Sequence, residues 1–250
     1  MARARSLGAR ERLRYVCRLM AEIAPTALDH VALWVAGRDT LAAFLCDHLG
    51  MHEIERTGNF TLVGADARLG KITLFDAEGP REPGVLGRVV LAVSDLDSAV
   101  AALPNDLPRE RHSDDLVAFE GPEGLGLGLE RRESPQVEYD LSHVLLRVPD
   151  PARARGELLA LGFEEDGERL AVAEKSLLLD VGDGGGEERP LLNHLAMLVD
   201  SAQAVSDEAE SRGLEIADFV DAENTIAVFV MGPDGIKLEY VEHKPSFSLV

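Results

Sequence analysis

Four stretches of the chain share one hydrophobic pattern: a leucine, a small or polar residue, one key position, then an apolar run. They are LDHVALWV from Leu28, LGRVVLAV from Leu86, LSHVLLRV from Leu141 and LNHLAMLV from Leu192. The key positions are His30, Arg88, His143 and His194, at intervals of 58, 55 and 51 residues. A fixed period of this size marks repeated supersecondary units. Short β-branched and leucine-rich runs between turn residues predict buried strands. An acidic residue suited to capping a helix follows each run: Asp39, Asp95, Asp150 and Asp200. Pro151 then takes the first helical position, where its missing N–H costs nothing. In residues 201–212, Ala202, Val205 and Ala209 are spaced for one buried helical face. Gly50, Gly162 and Gly213 supply left-handed helix ends, and Pro104 stops the second helix. Two or three strands per unit follow. In the fourth unit two of them are joined by Gly232-Pro233-Asp234-Gly235, and Gly121-Pro122-Glu123-Gly124 is its counterpart in the second.

Each unit therefore predicts a βαβββ module of about 50 residues. One module cannot bury both faces of its sheet, so modules must pair. The expected class is α+β: four βαβββ modules in two pseudo-symmetric domains. The boundaries expected are 28–133 for the first pair and 138–250 for the second, joined at Ser134-Pro135-Gln136. Residues 1–27 form an N-terminal extension. Leu13, Val16, Cys17, Met20 and Ile23 predict an amphipathic helix there, docked on the body or supporting a homo-oligomer. Gly182–Gly186 lacks the Lys-Ser/Thr of a phosphate loop and reads as a turn.

Composition narrows the function. The 250 residues are 46% hydrophobic, with 45 acidic against 25 basic groups and a net charge of −20. That balance argues against nucleic acid and anionic membranes as partners. The asymmetry is uneven, with −5 in residues 1–133 and −15 in residues 134–250. Cys17 and Cys46 have no zinc-ligand spacing and lie in helical segments, as buried thiols. No apolar run is long enough for a membrane span, and Arg18 and Glu22 interrupt any signal-peptide core. A cytoplasmic protein is expected. His48, His52 and His112 occupy helix-end or loop contexts and read as surface residues.

The chemistry gathers at matched repeat positions. His143 and His194 begin the strands of modules three and four, and pairing of those modules would turn both imidazoles into one concavity. Glu239 interrupts the apolar strand Ile236–Glu242, where a carboxylate is costly unless it is paired or bound to a cation. Two imidazoles and a carboxylate make the facial triad of non-haem Fe(II) enzymes.

These repeats with His143, His194 and Glu239 resemble the vicinal oxygen chelate superfamily, which includes glyoxalase I, bleomycin-resistance proteins, fosfomycin-resistance enzymes and extradiol dioxygenases. The resemblance covers about residues 28–244 and is nearest to the four-module extradiol dioxygenases. It implies a C-terminal pair binding Fe(II), with Mn(II) the alternative, through His143, His194 and Glu239. It also implies an N-terminal pair with a lost site, where His30 remains but Arg88 and Gly128 or Leu129 fill the other places. Glyoxalase-type enzymes use a fourth ligand, whose place falls near Leu179. The implied substrate is a small chelating molecule such as a catechol. The family's catalytic histidine also falls near Leu179 and its tyrosine at Phe229. That leaves His243, four residues past Glu239 on the same strand face, as the acid–base candidate. Two other readings follow from the resemblance: a Lewis-acid isomerase, lyase or transferase, and a metal-free binding protein of the bleomycin-resistance type.

Overall fold

A computed structural model describes residues 23–184 and 189–247, so the expected N-terminal helix lies outside the described residues. The four modules form as the pattern predicts. Module one comprises β1 (Ala27–Val35), α1 (Arg38–His48), β2 (His52–Arg56), β3 (Phe60–Gly64) and β4 (Lys71–Asp76). Module two comprises β5 (Leu86–Val93), α2 (Leu96–Ala101), β6 (Arg109–Ser113), β7 (Leu116–Glu120) and β8 (Gly126–Arg131). Module three comprises β9 (Asp140–Val148), α3 (Pro151–Ala160), β10 (Glu164–Asp166), β11 (Arg169–Val172) and β12 (Lys175–Val181). Module four comprises β13 (Leu192–Leu198), α4 (Ala202–Ser211), β14 (Ile216–Asp221), β15 (Thr225–Met231) and β16 (Lys237–His243).

Capping follows the expectation at two of four helices. Asp95 accepts from Ser98 N and Asp150 from Arg153 N. At α4 the cap is Ser201, one residue beyond Asp200, accepting from Ala204 N. At α1 the N-cap is Gly37 rather than Asp39, with no side-chain cap of its own. Glu123 of module two instead accepts from Ala36 N and Gly37 N. Its counterpart Asp234 in module four pairs with Arg153 in α3. Glu123 and Asp234 both adopt positive φ, 64° and 54°. Glycine would suit that backbone better, but it would lack the side chain that makes these contacts to the preceding module.

The strands form two eight-stranded sheets, ordered β14-β15-β16-β13-β1-β4-β3-β2 and β10-β11-β12-β9-β5-β8-β7-β6. The sheets thus join module one to four and module two to three. The expected pairs 28–133 and 138–250 are not the paired units, because the contact that unites two modules is between first strands. β1 runs antiparallel to β13, with Ala32 opposite His194, and β5 runs antiparallel to β9, with Val90 opposite His143. Nothing in the repeat dictates which first strands meet. Modules one and two touch through a helix and a turn instead: α1 packs on β2, β3 and β4 and meets Pro122–Gly124 of the other sheet. In the same way α3 packs on β9, β11 and β12 and meets Pro233–Gly235. One continuous apolar core spans both sheets and their helices.

Candidate metal centre

His30 in β1 and His194 in β13 sit two residues before the Ala32 and Ala196 of their strands. Glu239 in β16 lies opposite Ala196 in the parallel register. Because β1 and β13 are neighbours, the three side chains meet on one face of the first sheet. His30 Nε2 lies 3.2 Å from His194 Nε2 and 3.4 Å from Glu239 Oε2, and His194 Nε2 lies 3.0 Å from that oxygen. The ligand-type atoms of these residues all fall within 4.8 Å of one another, with His194 and Glu239 buried. They form the floor of a cleft of about 530 Å³ that also takes in Phe60, Thr73, Phe75, Phe229 and His243. Lys71 is its single ammonium, and no arginine lines it among the described residues.

Hydrogen bonding fixes which way each atom faces. His30 Nδ1 donates to Asp29 Oδ2 at 2.8 Å, and His194 Nδ1 lies 3.2 Å from Asn193 Oδ1. With protons on both Nδ1 atoms, both Nε2 atoms present lone pairs to the cleft. Glu239 Oε2 is buried and has no aligned hydrogen-bond partner. In that tautomer three electron-pair donors face one another, an arrangement that suits a divalent cation and is costly without one. Burial lowers the pKa of His194, against the upward pull of Glu239 beside it. Burial works to raise Glu239, but the contacts with His194 and His30 hold it below the ordinary carboxylate value. Asp29 is likewise opposed by burial, and His30 and Lys71 hold it well below the carboxylate range. The donor set fits an octahedral or facial-triad metal with open positions.

His143 is not brought to this cluster. It lies buried in the second sheet, with Nδ1 3.4 Å from Glu130 Oε2 and 3.4 Å from Ser142 Oγ. The matched places around it are Arg88, Gly128 and Leu178, of which none is a metal ligand. Glu130 also pairs with Arg132 and Arg169, and the pKa of its carboxyl is lowered to about 2 despite partial burial, chiefly by His143 and Ser142. His30, expected as the remnant of a lost site, takes the place assigned to His143. One signal in the sequence separates the two: the residue before His30 is Asp29 and before His194 is Asn193, both carbonyl-type acceptors for Nδ1, whereas His143 follows Ser142.

The fourth-ligand place also moves. Thr73 stands opposite Ala32 as Glu239 stands opposite Ala196, so it is the pseudo-symmetric partner of the carboxylate. Leu179 lies in β12 of the second sheet and takes no part. His243 does reach the cleft, on the Glu239 face of β16, half-buried and stacked on Phe247 at 3.6 Å. Burial lowers its pKa. His194 is flanked by Phe229 at 5.3 Å and Phe75 at 6.2 Å between ring centroids.

Comparison with known proteins accords with this architecture. Residues 27–106 match the Glyoxalase/Bleomycin resistance protein/Dioxygenase superfamily. No curated protein sequence matches the chain. Among solved structures, a candidate dioxygenase from Bacillus subtilis subsp. subtilis str. 168 aligns with TM-score 0.72 and 18% identity, over 89% of this chain and 86% of its own. A point mutant of glyoxalase I from Zea mays aligns with TM-score 0.68 and 16% identity, over 91% and 96% respectively. The CppA protein from Streptococcus pneumoniae TIGR4 aligns with TM-score 0.60 and 18% identity, over 87% and 98%. At these identities the likeness concerns the fold.

Proposed function

From the premise that the chain is built of vicinal oxygen chelate modules, with the family pattern at residues 27–106, we propose that it is a mononuclear metal-dependent enzyme. His30, His194 and Glu239 would hold the ion, Fe(II) first and Mn(II) second, and the substrate would be a small molecule with two vicinal oxygens. The observation that carries this reading is the convergence of two imidazoles, each held at Nδ1, and one buried carboxylate on the floor of a ring-lined cleft. When bound, such an ion supplies Lewis-acid polarisation and, as Fe(II), redox access to dioxygen.

The chain's own residues do the remaining work. Phe60, Phe75 and Phe229 exclude water and favour a flat apolar body beside the floor. Thr73 in place of a fourth ionised ligand leaves more coordination positions for substrate, which favours an oxygenase-like site over a glyoxalase-like one. His243, whose pKa burial lowers, would take a proton from a substrate hydroxyl and return it. A second reading, a Lewis-acid isomerase or lyase, draws on Phe229, which leaves the cleft without the phenolic hydroxyl that the dioxygenase resemblance implies.

The test is metal analysis of protein purified without oxygen and reconstituted with Fe(II). About one equivalent is expected in the parent and in His143→Ala, and under about 0.1 equivalent in His194→Ala. A parent that holds under about 0.1 equivalent would leave only the metal-free binding reading. Oxygen uptake with catechols then separates the two enzyme readings, and undiminished turnover in His243→Ala would remove that residue from the mechanism.

A further inference from the structure

Each histidine that begins a central strand is met at Nδ1 by the residue before it: Asp29 for His30 at 2.8 Å, Asn193 for His194 at 3.2 Å, Ser142 for His143 at 3.4 Å. Of the three, Asp29 alone carries a charge. Lys71 Nζ lies 2.7 Å from the same Asp29 oxygen that binds His30, and both side chains are 3% exposed. Lys71 reaches this place because it stands opposite His30 in the parallel register of β1 and β4. A buried ion pair is weak evidence of stabilisation, since apolar residues of similar volume commonly do as well. The other buried lysine, Lys175, begins β12 and pairs with Asp140 and Leu28 O, and it touches no histidine. A buried lysine–aspartate pair therefore connects to an imidazole at the cleft and not in the second sheet.

We propose that the Asp29–Lys71 pair is a positioning device for His30. The carboxylate holds the ring with Nδ1 protonated and Nε2 facing the cleft. The ammonium cancels the carboxylate's charge, so orientation is gained without adding a second anion beside Glu239. His30 becomes the more firmly oriented of the two imidazole donors, and His194, held by a neutral amide oxygen, the more yielding one. This rests on the metal reading of the triad. Lys71 and Asp29 touch no substrate in this role and act through His30.

The probe is Co(II) alone, followed by its visible absorption and by competition with a chelator. The double variant Asp29→Asn/Lys71→Met removes both charges together, which avoids stranding one of them, and keeps a neutral acceptor for His30. It is expected to bind Co(II) about 10- to 100-fold more weakly than the parent, with a shifted spectrum, while the thermal midpoint of the metal-free protein is little changed. Asn193→Asp gives His194 the same kind of partner and should tighten Co(II), which keeps the test open if the double variant does not fold. A double variant with the parent's affinity and spectrum, or an Asn193→Asp protein unchanged in both, overturns the positioning role. A parent that takes up no Co(II) overturns the metal reading beneath it, a result distinct from either.

Discussion

Glu239 and Tyr240 are neighbours in β16, and strand geometry sends them to opposite faces. Glu239 joins the cleft floor, whereas Tyr240 is fully buried against the helix side and donates its hydroxyl proton to Leu161 O at 2.7 Å. That carbonyl ends α3, so one side chain ties module four to module three. Tyr240→Phe should cost about 1–2 kcal/mol, read as a lower urea midpoint at unchanged slope, because the carbonyl is left unsatisfied. Glu130 predicts a pH dependence. Its pKa is lowered in the folded protein from 4.5 to about 2. Its contribution is therefore complete above about pH 5, and it is lost as pH falls through the unfolded value toward pH 2. Urea midpoints measured down that range should fall less steeply in Glu130→Gln than in the parent.

Among the elements, the helix caps separate pattern from place. Asp150 caps α3 directly, so Asp150→Ala should cost about 1 kcal/mol. Asp39 sits inside the first turn of α1 and pairs only with exposed Arg56, so Asp39→Ala should stay within about 0.5 kcal/mol. Chemical denaturation of both variants checks the contrast, which a reading of the repeat alone would not make. The strands set a second constraint. A Cβ on Gly126 would lie 2.4 Å from Gly87 O, where β8 and β5 run side by side. Gly126→Ala must push the two strands apart, and a lowered thermal midpoint is expected with the His30–His194–Glu239 cluster in the other sheet intact.

For the whole molecule, the interleaved pairing means that neither half of the chain owns a complete sheet. Residues 28–133 and 138–250 each contain two half-sheets whose first strands need partners in the other half. Expressed separately, each half should lack a cooperative thermal transition. Expressed together, they should recover one, together with metal binding, as followed by circular dichroism. Cooperative folding of 138–250 alone, with a metal bound, would contradict the pairing. Because the triad joins modules one and four, metal should also stabilise the whole protein. Ion at 100 times its dissociation constant adds about 2.7 kcal/mol and raises the thermal midpoint accordingly.

Repeat spacing, strand and helix periodicity and turn residues sufficed for the four modules, because those depend on neighbours in the chain. The same local logic found Asp95, Asp150, the two Gly-Pro-acidic-Gly turns, and the exceptional character of His194, Glu239 and His243. The partner of His194 was legible only in the residue before each histidine, Asp29 against Ser142. Pairing modules three and four offers His143, and pairing one and four offers His30, so two histidines and one glutamate complete a triad either way. The contact of β1 with β13 decides between them, and that antiparallel pairing joins strands more than 150 residues apart. The sequence determined which residue types stand at the ligand positions of each module. The tertiary structure decided which modules share a sheet, and thereby which histidine joins His194 and Glu239 and which is held by Ser142 and Glu130.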